Sequence, residues 1–339
     1  MNLPSRILIV RMSALGDIVH ALPVLAAIKR AWPAAEVDWL ADRAYAGVLD
    51  LVSGLTRTII GRPSLLRAIG ELRARRYDVA IDLQGLFKSA LMARSSGARR
   101  VIGFEAAALR EQGAGWFYRE SIAIPPATHV VHKNLAALSA LGLSSPEQPE
   151  FPFRVPSSTA ADEVARDART CGDGRFALIN PGAAWPNKRW APERFGALAA
   201  HLRARHGLPS FVLWGPGEHG LADTVVAAAS GAAVRAPETT LGDLLALVSR
   251  AALMISGDTG PIHFAAACRT PIVGLYGPTW PERNGPWDPA DVVISRAASC
   301  ECHHKRQCRR GDSRMCLNEI AVDEVTAAVD RRLSQAVRR

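Results

Sequence analysis

Three loops in this sequence carry side chains that could do chemistry, and each follows a short apolar run. The first reads Ser13-Ala14-Leu15-Gly16-Asp17. Gly16 permits a tight turn, and Asp17 stands where a helix would begin. Two roles are open to Asp17: capping the exposed amides of that helix, or acting as a general base that takes the proton of an attacking hydroxyl. The second loop, residues 180–190, reads NPGAAWPNKRW. Its small residues Gly182, Ala183 and Ala184 let a bound group approach backbone N–H donors, and Lys188 adds a flexible cation before the next helix. That pairing suits a diphosphate, whose charge must be neutralised as it leaves. The plain alternative is a solvated loop, although Lys188 and Arg189 between Trp185 and Trp190 are an unusual surface choice. It is not a Walker A loop, because G-x-x-x-x-G-K-[ST] does not occur.

The third loop, Ser256-Gly257-Asp258-Thr259-Gly260-Pro261-Ile262-His263, leads into the small-residue run Phe264-Ala265-Ala266-Ala267. Pro261 fits a first helical turn, Gly260 allows close approach, and a helix N-terminus attracts anions. Asp258 and Thr259 supply polar atoms there. His263, one turn in, is either a structural histidine or a donor to a phosphate or sugar hydroxyl. Glu218, closing Trp214-Gly215-Pro216-Gly217-Glu218, could bind a ribose or sugar hydroxyl, and a tight turn explains the same residues. Tyr276-Gly277-Pro278-Thr279 is likewise a strand-ending turn or part of a site rim.

The elements that must position these loops alternate regularly. An apolar strand at 7–10 precedes the first loop. Ile18, Ala21, Leu22, Leu25 and Ile28 then recur at helical spacing, and 37–40 reads as the next strand. A strand at 79–83 and a helix after Gln84-Gly85 continue the pattern, which predicts a doubly wound parallel α/β sheet. A helix at 130–141 ends at Gly142, and the Pro- and Ser-rich stretch 144–156 predicts a linker. Beyond it the rhythm restarts, with strands at 176–180, 210–214, 253–256 and 272–276 and a last amphipathic helix at 322–337. Two such halves predict a cleft between them, with binding at the carboxyl ends of the strands.

The length of 339 residues fits two domains. A net charge of +9 implies an anionic partner: nucleic acid, a phospholipid surface or a phosphorylated substrate. Arg57, Arg62, Arg67, Arg73, Arg75 and Arg76 face a single nearby acid, Glu71. They are either the solvated side of a helix that turns Leu65, Leu66, Ile69 and Leu72 inward, or an anion site. The apolar run at 7–10 is shorter than the roughly seven to fifteen residues of a signal-peptide core. No run approaches the ~18–20 residues of a membrane span, so a cytoplasmic protein is expected. That setting disfavours disulfides. Four of the six cysteines, Cys300, Cys302, Cys308 and Cys316, cluster beside His303 and His304. The spacing C-x-C-x5-C-x7-C departs from paired C-x-x-C knuckles and leaves a structural metal site and a loop of reduced thiols both open.

The segments ILIVRMSALGDIVHALPVL, DLQGLFKSA, NPGAAWPNKRW, WGPGE, SGDTGPIHFAAA and VGLYGPT stand in order across residues 7–279. Together they resemble the lipopolysaccharide heptosyltransferases of glycosyltransferase family 9. The resemblance implies an α/β GT-B fold, two Rossmann-like domains with parallel sheets facing a central cleft. Residues 1–155 would bind the acceptor and hold the catalytic base, 156–321 would bind the nucleotide-sugar, and 322–339 would pack as a helix across a domain surface. It implies inverting transfer of heptose from ADP-L-glycero-D-manno-heptose to the lipopolysaccharide inner core, on Kdo-lipid A or a heptosyl acceptor. Asp17 is then the base and Lys188 the diphosphate contact. Asp258, Thr259, Gly260 and His263 line the donor site, joined by Glu218 and by the backbones of Ala183 and Ala184. The anionic acceptor gives Ser13, Arg62, Arg67, Lys88 and Arg110 a place in its binding. No cofactor and no catalytic metal are expected, since no DxD-type site is evident. A peripheral position on the cytoplasmic face of the inner membrane is expected, and a nucleic-acid partner is not.

Three other functions compete. A transferase or epimerase of the same fold could use a different nucleotide-sugar. An anion-binding module without catalysis, for an acidic surface or nucleic acid, would explain the charge, but no helix-turn-helix, RRM or OB signature supports it. An NAD-dependent dehydrogenase is disfavoured, because the first βα loop lacks G-x-G-x-x-G.

Overall fold

Strands that are apolar on both sides belong inside a parallel sheet covered by helices, and the run at 7–10 is such a strand, with every residue fully buried. The structure is a computed structural model describing residues 3–61, 65–303, 305–309, 311 and 316–336. The chain divides into two compact units, Met1–Arg154 and Val155–Arg339.

In unit 1, β1 (Arg6–Val10), α1 (Leu15–Ala31), β2 (Glu36–Ala41), α2 (Arg43–Ala46) and β3 (Arg57–Ile60) are followed by α3 (Leu65–Arg75) and β4 (Val79–Asp82). Then come α4 (Phe87–Ser95), β5 (Arg100–Phe104), β6 (Glu120–Ile122) and α5 (Val130–Ala136). The sheet order is β3-β2-β1-β4-β5-β6, and β1 pairs in parallel with both β2 and β4, Val10 standing opposite Leu40 and Asp82. The strand order reverses between β1 and β4. Ligands of such sheets bind outside the carboxyl ends at that point, which is where residues 11–17 and 83–87 emerge.

Unit 2 repeats the plan. It comprises α6 (Thr159–Cys171), β7 (Ala177–Asn180), α7 (Pro192–His206), β8 (Ser210–Val212), α8 (His219–Ala228) and β9 (Ala233–Arg235). These lead to α9 (Leu241–Arg250), β10 (Leu253–Gly257), α10 (Gly260–Ala267), β11 (Ile272–Tyr276), α11 (Pro281–Asn284), β12 (Val292–Ser295) and α12 (Val322–Ala336). The order is β12-β11-β10-β7-β8-β9, all parallel where the strands pair. Here the reversal lies between β7 and β10, and the loops after these two strands are the second and third loops of the sequence.

Helix α12 packs on α7, β11 and β12 within unit 2. Its Val325, Ala328, Val329 and Leu333 join a core that includes Trp190, Leu317 and Ile320. Arg332 of α12 meets Asp291 at 2.9 Å, with both side chains almost wholly buried. The proline-rich stretch is anchored to unit 1 at its far end, where Ser53 donates to the Pro152 carbonyl and the Arg154 amide to that of Leu51.

The arginine-rich helix differs from the sequence expectation. Leu72 and Ala68 are buried, but Leu66 is 84% exposed. Arg57 belongs to β3, not to the helix. Arg75 turns inward, onto Asp38 at 2.8 Å and Glu36 at 2.6 Å. Tyr77 donates its hydroxyl to the same Asp38 at 2.7 Å. Burial of Asp38 in mid-strand demands such partners, so Arg75 supports the sheet and is not available as an anion ligand.

Candidate active site

In unit 1 the residues at the strand-order reversal form one network. Asp17 is the third residue of α1, and its Oδ2 accepts the Ala14 amide at 3.2 Å, a capping geometry. Its Oδ1 pairs with the Arg11 guanidinium at 2.7 Å, while about a third of the side chain stays exposed. Arg11 is itself buried and also donates to the Leu83 carbonyl. Thus Asp17 does cap its helix, and its carboxylate is oriented by a buried cation with lone pairs to spare for a third partner. Gln84 joins the two loops: its Oε1 accepts the Met12 amide at 2.6 Å and its Nε2 donates to the Ser13 hydroxyl at 3.2 Å. Lys88 pairs with Asp42 at 3.4 Å.

Asp82 anchors this loop from below. It accepts the Gln84 amide at 2.9 Å, the Gly85 amide at 3.3 Å, and the hydroxyls of Ser89 and Tyr118, both at 2.8 Å. Burial raises its pKa and those four donors oppose the rise. Burial and the neighbouring Asp82 push the Tyr118 phenol up, so it remains a donor. Arg67 and Arg110 are exposed; Arg67 pairs with Glu71 at 3.3 Å. Arg62 and His304 lie outside the described residues.

In unit 2 the centre is Asp258. Lys188 reaches its Oδ2 at 2.5 Å and its backbone carbonyl at 3.3 Å. Asn284 donates to Oδ1 at 2.8 Å, and His263 Nε2 lies 3.5 Å from the same oxygen. Burial alone would raise the carboxyl, but His263 and then Lys188 outweigh it and hold Asp258 well below the usual carboxylate range. His263 is buried and turned toward Asp258. Lys188 also sits 4.6 Å above the Trp185 ring. Two glycines make room: a Cβ on Gly257 would come 2.7 Å from the Lys188 carbonyl, and one on Gly182 would come 2.1 Å from Glu218 Oε2. Glu218 accepts the Gly215 amide at 3.1 Å. Ala183 is buried and its carbonyl accepts from Arg189 at 2.8 Å, while Ala184 is exposed.

Helix α10 begins at Gly260 with Thr259 as N-cap, and among the described residues no side chain caps it. Instead the Thr259 hydroxyl receives Asn180 Nδ2 at 2.9 Å, and Asn180 also donates to Ser256 at 3.0 Å. The first-turn amides therefore lack a side-chain acceptor, the condition under which a helix start attracts an anion. Nearby, the Thr279 hydroxyl and Asn284 Oδ1 are buried without a protein partner among the described residues. Sequence reasoning missed Arg11, Asp82, Gln84, Asn180, Ser256 and Asn284. The signal available was position: each stands at or just beyond a strand's carboxyl end, except Asn284, which only the fold brings to Asp258.

The profile of glycosyltransferase family 9 (heptosyltransferase) matches residues 65–313, well over half of the chain. This chain belongs to glycosyltransferase family 9. The family 9 chain is 28% identical over 320 residues to lipopolysaccharide heptosyltransferase 1 of Pseudomonas aeruginosa, covering 89% of this chain and 87% of that one. It is 27% identical to the lipopolysaccharide core heptosyltransferase OpsX of Haemophilus influenzae, over 86% and 84% of the two chains. The solved structure of E. coli heptosyltransferase WaaC with ADP superposes with a TM-score of 0.75 at 24% identity, over 98% of this chain and all of that one. The two Rossmann-like units of this family 9 transferase thus have the GT-B fold. Among its described residues no helix is long and apolar enough to cross a membrane.

Proposed function

We propose that this family 9 glycosyltransferase moves a heptose from ADP-heptose to the inner core of lipopolysaccharide. Family membership carries the glycosyl transfer, and the names of the curated relatives support the sugar and the acceptor. The observation that carries the donor assignment is the cluster of half-buried Lys188 and Asn284 around buried Asp258 and His263, beside the uncapped start of α10.

The chemistry is a single inverting displacement. Asp17, oriented by Arg11, takes the proton of the acceptor hydroxyl, which attacks the anomeric carbon as ADP departs from the opposite face. Lys188 and the first amides of α10 stabilise the growing diphosphate charge in place of a metal. Asp258, itself held by His263 and Asn284, keeps Lys188 in reach. Glu218 and the backbones at Ala183 and Ala184 complete the donor side. Ser13, Lys88, Arg67 and Arg110, with Arg62, take the acidic acceptor.

An apolar patch supports peripheral contact with the cytoplasmic face of the inner membrane. Trp116, Phe87 and Leu91 are 86%, 46% and 43% exposed, and Phe87 packs edge-on against Phe117 at 4.9 Å. Exposed aromatic side chains suit a headgroup boundary.

The test is a product assay offering ADP-heptose and UDP-sugars to a panel of Kdo-containing lipid acceptors. We expect heptosyl product from ADP-heptose alone. Turnover of a UDP-sugar in its place would sink the heptose assignment and leave the family untouched.

A further inference from the structure

Helix α7 leaves the loop that follows β7 and runs back to the start of the neighbouring parallel strand β8. Its last turn therefore lies at the edge of the sheet opposite the second and third loops. That end of the helix carries His201 and His206, and Gly207 closes it in the left-handed region at φ 63°. Helix α12 packs on α7 and brings Asp330 to the same place. His201 Nε2 lies 2.8 Å from Asp330 Oδ1, and His206 Nε2 lies 2.6 Å from that same oxygen. All three atoms are within 4.8 Å of one another. The two imidazoles meet edge to face, with centroids 6.0 Å apart.

The plain reading is a pair of hydrogen bonds, each imidazole donating its Nε2–H to the carboxylate. Three features go beyond it. A carboxylate offers two oxygens and about four lone-pair sites, yet both rings converge on one oxygen. Among the described residues neither lysine nor arginine pairs with Asp330, whose ion pairs are with these two histidines. Arg203, on the same turn, is spent on the Cys171 and Gly207 carbonyls. Finally, the carbonyl end of a helix is its negative end, so the last turn of α7 adds its own attraction for a cation.

Two imidazole nitrogens and a carboxylate oxygen form a ligand set that suits zinc. In a tetrahedral site with ligands at about 2.0–2.1 Å, neighbouring ligand atoms stand about 3.3 Å apart. The two nitrogens need only retreat from Oδ1 by about 0.5–0.7 Å to admit the ion. The side chains of His201, His206 and Asp330 are 28%, 23% and 40% exposed, which gives them room to move and leaves a fourth position to water.

We propose that His201, His206 and Asp330 bind one zinc ion that clasps α12 to the last turn of α7. The ion is structural, because it lies across the sheet from the loops assigned to the donor. Asp330 directly follows Val329, which α12 buries in the core of unit 2, so the clasp fastens the margin of a face already packed. None of this depends on the donor-site reading above.

The test titrates zinc by calorimetry into the full chain, purified without a histidine tag and stripped of metal by a chelator, beside the double variant H201Q/H206Q. Glutamine still offers a side-chain N–H to Asp330 but is a poor zinc ligand, so the variant keeps the hydrogen bonds and loses the metal. Free thiols also take up zinc, so the deciding count is the difference between the two proteins. The unaltered chain should bind about one equivalent more than the variant. Zinc should also slow hydrogen exchange across 201–206 and 327–334 by about tenfold or more in the unaltered chain alone. Equal zinc uptake by the two proteins would overturn the site, and unchanged exchange in the zinc-loaded chain would overturn the clasp. Should the variant fail to fold, labelling of the unaltered chain with diethyl pyrocarbonate, mapped by peptide mass spectrometry, replaces it. Zinc should protect His201 and His206 together; unchanged labelling of either would overturn the triad.

Discussion

Replacing Asp17 by asparagine separates its two roles. Asparagine keeps the shape and an oxygen that can accept the Ala14 amide, now at 3.2 Å, so the helix cap survives. The charge that faces Arg11 at 2.7 Å is lost. Arg11 is 7% exposed and still holds the Leu83 carbonyl, so it is weakened rather than orphaned. A hydrogen bond to a charged group is worth about 1.5–3 kcal/mol. With about a third of the Asp17 side chain exposed, solvent screening reduces that to about 1–2 kcal/mol. At about 2–4 °C per kcal/mol, the melting temperature should fall by roughly 2–8 °C. Turnover should fall far more. A positioned general base contributes about 10²–10⁴-fold, or about 3–5.5 kcal/mol of barrier. ADP affinity should stay within a few-fold, because every donor contact assigned above lies in unit 2. The assay is initial-rate heptosyl transfer beside ADP calorimetry and thermal melting on the same preparation. Turnover within tenfold of the original, in a folded protein with normal ADP binding, would refute the base and leave only the cap.

Three more outcomes follow from the same geometry. Lys188→Ala should weaken ADP binding and turnover together, each by about tenfold or more, since charge-assisted contacts are worth about 1.5–3 kcal/mol; calorimetry showing unchanged ADP affinity would remove Lys188 from the diphosphate. Asp258 has a lowered pKa, so its contribution to stability is whole above the unfolded value of about 3.9 and fades as pH falls toward the folded value. Denaturant titrations of the original and D258N should therefore differ most above about pH 5 and converge in acid; a gap that widens in acid would reverse the assignment. Asp291→Ala leaves Arg332, only 3% exposed, without its partner, and should cost about 3–5 kcal/mol in chemical denaturation; a loss below about 1 kcal/mol would mean that water reaches the guanidinium.

The fold was legible in most strands that are apolar throughout, although β5, with Val101, Ile102 and Phe104 buried, was not picked out. β1, β2, β4, β7, β10 and β11 are buried central strands, and their runs of Val, Ile and Leu stand out. β3, β9 and β12, which all lie at sheet edges, carry exposed or half-buried residues and gave no comparable signal. The proline-rich stretch stood out in the sequence, but the pairing of 152–154 back onto 51–53 did not. At the site, loop position and residue type led to Asp17, Lys188, Asp258 and His263. Partnership was not legible, since it joins residues 70 apart (Lys188 and Asp258) or at opposite ends of one loop (Arg11 and Asp17). The arginine cluster shows the limit of composition: Arg75 looks identical to Arg67 in sequence, yet buried Asp38 claims it.

The pairing of Lys188 with Asp258 has a consequence for how often the enzyme can cycle. A lysine waiting bare for diphosphate would grip ADP after transfer as firmly as it gripped the donor, and a tightly held product slows release. On the donor assignment proposed above, the diphosphate has to draw Lys188 away from a carboxylate 2.5 Å distant. Asp258 tolerates the exchange because His263 and Asn284 remain beside it. When ADP loosens, the carboxylate competes to reclaim the lysine. On that assignment the resting site resets itself, trading ground-state affinity for faster departure of the spent nucleotide.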